Sequence, residues 1–118
     1  MSETVDAVHE VNTVHLVGRV SAAPRTRELP SGDLLLQFRV VVRRRASRRR
    51  GAAGRATVDA IDIACWSART RAAAARVAEG DVVEVDGSLR RRFFATGAGR
   101  VSRYEVEADR VRRRRPSV

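Results

Sequence analysis

The segment Val58 to Phe94, VDAIDIACWSARTRAAAARVAEGDVVEVDGSLRRRFF, reads as a strand, a short helix, a glycine turn and a second, longer strand. From Val58 to Trp66 the residues alternate, with Ile61, Ile63 and Cys65 on one side and Ala60, Asp62, Ala64 and Trp66 on the other. The first set faces a core, and the chain's one tryptophan lies on the opposite face. Ser67 can cap a helix through its hydroxyl, Ala72 to Ala75 are strong helix formers, and Gly80 can close it in the left-handed conformation. A helix of about three turns is too short to stand alone, so packing of Ala73 and Val77 must hold it. Val82 to Phe94 is the longer strand, with Gly87 as a bulge that lets it curve. Its parity gathers Ser88, Arg90, Arg92 and Phe94 on one surface, a ring to stack a base beside guanidinium groups to pair phosphates.

Upstream, residues 1–10 form a flexible acidic leader without the basic and apolar regions of a signal peptide. Val14, Leu16, Gly18 and Val20 alternate with His15, Val17 and Arg19, giving a first strand with a glycine bend that Pro24 ends. A short edge piece, Arg25 to Leu29, leads into the turn Pro30-Ser31-Gly32. The second strand then sets Leu36, Phe38, Val40 and Val42 against Gln37, Arg39, Val41 and Arg43. Residues 46–57, ASRRRGAAGRAT, have no periodicity and form a flexible basic loop. A solvated loop with no task is the plainer reading, but its place beside Arg39 and Arg43 adds Arg48, Arg49 and Arg50 to a phosphate track.

Downstream, Thr96 to Arg100 is a hairpin tip, and Val101 to Val111 is a fifth strand in which Tyr104, Val106 and Ala108 alternate with Arg103, Glu105 and Glu107. Phe38 and Tyr104 are assigned to the core. Of Phe93 and Phe94, one is core or interface and the other exposed, and parity selects Phe94 as exposed. Residues 112–118 read as a basic disordered tail.

The 118 residues suffice for one domain, and a hydrophobic content of 43% supports a core. All 24 basic residues are arginine, and against 14 acidic ones they leave a net charge of +10. Codon usage can account for arginine in place of lysine, but the charge remains and a polyanion is the natural partner. The single Cys65 excludes an internal disulfide and falls on the inward parity as a core filler. Neither His9 nor His15 has a cysteine or carboxylate at ligand spacing, so no metal site and no cofactor are expected. No apolar run is long enough to cross a membrane, which points to the cytoplasm and the nucleoid. Nothing resembles a nucleophile with a base or a working carboxylate pair, so an enzyme is not expected.

Five strands with one helix between the third and fourth is the order of an OB-fold, an all-β five-stranded Greek-key barrel, here over residues 11–111. Asn12-x-Val14-x-Leu16-Val17-Gly18-Arg19-Val20, Pro24, Pro30-Ser31-Gly32, Phe38-x-Val40, Trp66 with the alanine-rich helix and Glu79-Gly80-Asp81, and Val85-x-Gly87-x-Leu89-Arg90-x-Arg92 resemble the bacterial single-stranded DNA-binding proteins. The resemblance implies nonspecific binding of single-stranded DNA in replication, recombination or repair. It also implies a homo-oligomer, a dimer or a tetramer built from dimers that pair their first strands. Carried over by position, Trp66 and Phe94 are stacking aromatics, Arg90 and Arg92 a basic pair, and Arg27 a basic residue of the first loop. The plainer reading of Trp66 is a cover for the sheet edge.

The sequence also departs from that family. Ala60 stands where one branch has a stacking tryptophan, another aromatic is missing near Ala46, and the chain ends in RRRRPSV where the family has a long tail with an acidic tip. Recruitment of partners through such a tail is therefore not expected. Two other readings remain open: an OB-fold accessory protein of primosome type acting mainly through protein partners, and a cold-shock-like RNA-binding protein. Quenching of the tryptophan by oligo-dT alone separates the first from direct DNA binding, and competition between RNA and DNA oligonucleotides separates the second.

Overall fold

The computed structural model describes residues 8–45 and 57–115. Its elements, in order, are β1 (Val14–Glu28), β2 (Leu34–Arg43), β3 (Val58–Cys65), α1 (Ala68–Ala74), β4 (Val82–Thr96) and β5 (Gly99–Arg114). The strands close into a barrel in the order β1-β2-β3-β5-β4, with β3 and β5 parallel and every other pair antiparallel. This is the OB-fold topology expected from the element order. Strand parity holds inside the barrel: Leu36, Phe38 and Val40 of β2, Ile63 and Cys65 of β3, Val83 and Val85 of β4, and Val106 and Ala108 of β5 form one buried cluster. Ala74 and Val77, at the end of α1 and just after it, join that cluster and close one end of the barrel.

Two glycines permit close approach of strands. A Cβ on Gly18 would lie 2.6 Å from the Val41 carbonyl oxygen, so the bend of β1 over β2 needs a residue without a side chain. A Cβ on Gly87 would lie 2.0 Å from the Glu107 carbonyl oxygen. The register slips beside Gly87, where Asp86 opposes Arg110 and Gly87 opposes Ala108. The extra residue is therefore Asp109 on β5, while the glycine expected to be the bulge is what allows the strands to touch.

Several boundaries differ from those the sequence predicts. Pro24 does not end β1, because the register shifts between Ala22 and Arg25 leave it in a bulge where no ladder N–H is needed. Residues 112–114 belong to β5, opposite Val82 to Glu84, and Arg112 Nη2 lies 3.1 Å from Glu84 Oε1. The helix has seven residues, about two turns, with Ser67 accepting from the Thr70 N–H as expected. It ends on Ala75 in a right-handed conformation. Gly80, with φ of 92°, instead turns the chain into β4 and donates its N–H to Val20 O.

The β4–β5 hairpin outgrows the barrel. The β1–β4 ladder stops at Val14↔Gly87 and the β3–β5 ladder spans Ile63↔Val106 and Ala64↔Glu107, so from Arg90 to Glu105 these two strands pair with each other alone. The Asn12 side chain grips the base of this arm, accepting from Leu89 N at 2.9 Å and donating to Leu89 O at 2.8 Å.

Candidate nucleic-acid interface

An open cleft of about 840 Å³ lies between residues Ser21 to Leu29, the second half of β1 and the residue beyond it, and strands β2, β3, β4 and β5. It brings together Arg27, Arg39, Arg92 and Phe94 of the sequence-predicted residues and adds Arg25 and Arg103. Arg103 follows from the tip: a two-residue turn, Gly97-Ala98, pairs Thr96 with Gly99 and so sets Arg92 opposite Arg103 and Phe94 opposite Val101. Phe94 is 39% exposed, with the Arg103 guanidinium 5.9 Å from its ring centre.

Carboxylates that sequence reading did not assign to the site hold three of the sequence-predicted arginines. Arg39 faces Asp62 across the β2–β3 ladder, Nε to Oδ1 at 2.9 Å. On the arm the pairing is diagonal: Arg92 Nε lies 2.7 Å from Glu105 Oε2, and Arg90 Nε 3.3 Å from Glu107 Oε1. Glu105 is only 5% exposed, and the Arg92 guanidinium is the charge that faces its Oε2. Burial pushes the Glu105 carboxyl above the usual carboxylate range, the Arg92 charge opposes this, and Asp62 and Glu107 add to the rise. Among the described residues, Arg25, Arg27 and Arg103 have no carboxylate at ion-pair distance.

Trp66 lies just past β3, half-buried, with the Arg92 guanidinium 4.6 Å from its ring centre. Arg71 donates to the Trp66 carbonyl and fixes the backbone there. Arg92 thus joins Trp66 to Glu105, and a base reaching the covered face of the indole must displace it. Arg90 shares the outer face of the arm but does not line the cleft. Arg43 lines a separate depression with Gly18, Arg19 and Val58. Arg48, Arg49 and Arg50 lie outside the described residues. The chain on either side of them is drawn together by Arg44, which donates to Thr57 O at 2.6 Å and meets Asp59 Oδ1 at 2.5 Å.

Three expectations about side chains change. Tyr104 is 57% exposed and Phe93 56%, so neither is core in the single chain, because the inner face of the arm that carries both has run beyond the barrel. His15 does have carboxylate neighbours, Asp86 Oδ1 at 2.6 Å from Nδ1 and Glu84 Oε2 at 3.3 Å from Nε2. Only the β1–β4 register brings them together, so sequence spacing could not show that these three side chains are close enough to share a metal ion. Cys65 is fully buried as expected, and burial pushes its thiol up to about 11, a hydrogen bond with Thr70 opposing, which leaves it without thiolate character near neutrality.

The family model described as "Single-strand binding protein family" matches residues 11–114. Single-stranded DNA-binding protein 1 of Synechocystis sp. is 30% identical over 80 residues, 68% of this chain and 62% of that protein, so the match spans less than two thirds of the relative's length. Among solved structures, the Plasmodium falciparum SSB complex with ssDNA has a TM-score of 0.77 at 19% identity, covering 92% of this chain and 99% of that one.

Proposed function

Because the chain belongs to the single-strand binding protein family, we propose that it binds single-stranded DNA without sequence specificity, in replication, recombination or repair, and without catalysis. The observation that carries this reading is the cleft in which Arg27, Arg39, Arg92 and Arg103 surround an exposed Phe94. Bases stack on Phe94 and, once Arg92 swings aside, on Trp66, while the guanidinium groups follow the phosphates. In this reading Arg43 and Arg90 extend the basic track beyond the cleft, and Arg48 to Arg50, outside the described residues, are proposed as further phosphate contacts. Stacking accepts any base, which makes the binding insensitive to sequence.

The protein works as a homo-oligomer in this reading. From Val14 to Gly18, β1 has β4 on one side and no strand on the other among the described residues, an edge suited to a second copy's first strand. No described helix is long and apolar enough to cross a membrane. We place the protein in the cytoplasm with the nucleoid.

Trp66 is the chain's one tryptophan; it does not line the cleft itself but packs against Arg92, which does, so its fluorescence reports on that edge of the site. Saturable quenching by oligo-dT, absent with duplex of the same length, is the expected result. Unchanged emission while a labelled strand is bound would remove Trp66 from the site, and no binding at all would remove the function.

A further inference from the structure

The arm's two faces carry different chemistry. Register and parity put Arg90, Arg92, Arg103, Glu105 and Glu107 on the cleft side, and Leu89, Arg91, Phe93, Ser102 and Tyr104 on the other. Inside the barrel that other face is core: Val106, opposite Leu89, is 2% exposed. Beyond the barrel the apolar pattern continues, and among the described residues Phe93 and Tyr104 stand exposed on it. Around its two open rings lie arginines, with Arg91 5.1 Å from the Phe93 centre and 5.5 Å from that of Tyr104, and Arg100 5.4 Å from Phe93. Arg91 Nη2 also donates to Ser102 Oγ at 3.1 Å. Among the described residues neither arginine has a carboxylate at ion-pair distance, because the arm's glutamates sit on the opposite side.

We propose that this second face, Phe93 and Tyr104 flanked by Arg91 and Arg100, is a further stacking surface for an unpaired nucleic-acid strand, so that a strand leaving the cleft at Phe94 continues around the arm. The inference rests on the single-strand reading above and extends its path. Charge complementarity selects the occupant. Two rings with uncompensated guanidinium groups beside them offer a base its stacking partner and the adjoining phosphate its counter-charge, without an internal carboxylate to displace. On the cleft side every equivalent contact made by Arg39, Arg90 or Arg92 must first compete with Asp62, Glu107 or Glu105.

The test compares the parent with a Phe93→Ala/Tyr104→Ala variant, both folded by thermal melting, on oligo-dT of about 6 and about 30 nucleotides, the shorter within the span of one such barrel. Strands carrying 5-iododeoxyuridine are cross-linked by light and the adducts mapped by mass spectrometry. The expected result is adducts at Phe93 or Tyr104 with the long strand. The variant's affinity for that strand falls by about tenfold or more, while the short strand binds as before. Adducts confined to Trp66 and Phe94, with the long strand bound equally by parent and variant, would overturn the proposal and leave the cleft reading standing. A lowered oligomer mass in the variant with unchanged strand affinity would also overturn it, making the face a contact between copies. Failure of the parent to bind either strand would sink the single-strand reading, and this extension with it.

Discussion

The two sides of the β4–β5 arm are built from one run, Arg90 to Phe94, yet they hold their charges differently. On the cleft side Arg90 and Arg92 are tied to Glu107 and Glu105, and Arg92 lies over Trp66. On the other side Arg91 and Arg100 touch rings instead of carboxylates. One face is therefore ordered and partly neutralised before any strand arrives, whereas on the other no carboxylate among the described residues meets Arg91 or Arg100. The number of arginines in a patch thus says less about phosphate binding than the register that decides which of them meets a carboxylate.

The harshest way to break the comparison is to remove the arm's geometry. Gly87→Val should cost about 4 kcal/mol of stability, since a side chain there meets the Glu107 backbone at contact distances no packing allows. Thermal unfolding reads this as a large fall in Tm. Gly97→Val at the open tip, where a Cβ meets nothing within 4 Å, should change Tm far less.

Next in size is the loss of the cleft-side rings. Trp66→Ala with Phe94→Ala should weaken oligo-dT binding by about 1–3 kcal/mol for each base that loses its platform, measured by anisotropy on protein shown to be folded. A variant that binds as tightly as the parent would remove both rings from the site.

Glu105 sharpens the contrast. Its carboxylate competes with phosphate for Arg92, so Glu105→Gln should tighten oligo-dT binding about fivefold, near 1 kcal/mol. In the parent the same release should come with acid. A carboxyl whose pKa folding raises contributes its stability below the unfolded value and loses it as pH rises through the folded one. Lowering the pH from neutrality through the raised Glu105 pKa should therefore relieve the burial of its charge and strengthen strand binding. In Glu105→Gln this part of both pH dependences should be flat.

The smallest effect concerns the unopposed face. Arg91→Ala should reduce the slope of log affinity against log salt by about 0.7, the loss of one phosphate contact on a single strand. Arg90→Ala, whose charge is already shared with Glu107, should change the slope less.

Much of the barrel was legible because parity and turn chemistry are local. The alternation of β2 and β3, the Ser67 cap and the Gly97-Ala98 tip each depend on neighbours a few residues away. The misjudged features depend on partners far along the chain. The arginine run from Arg112 looks like a tail until Val82 to Glu84 pair with its first three residues, and Pro24 looks like a strand end until the bulge in β1 absorbs it. Tyr104 has the parity of a core residue, and only the arm's extension past the barrel exposes it. Likewise the charge run Arg90 to Arg92 was visible, but the carboxylates that restrain it come from β5 in a register no local pattern reveals.

Binding of an unpaired strand is tested most directly by titrating the parent protein into labelled oligo-dT and into duplex of equal length across a salt series. Tighter binding of the single strand at every salt, with log affinity falling by about 0.7 per phosphate contacted for each tenfold rise in salt, is the predicted result. Equal affinity for single strand and duplex, or affinity indifferent to salt, would contradict it.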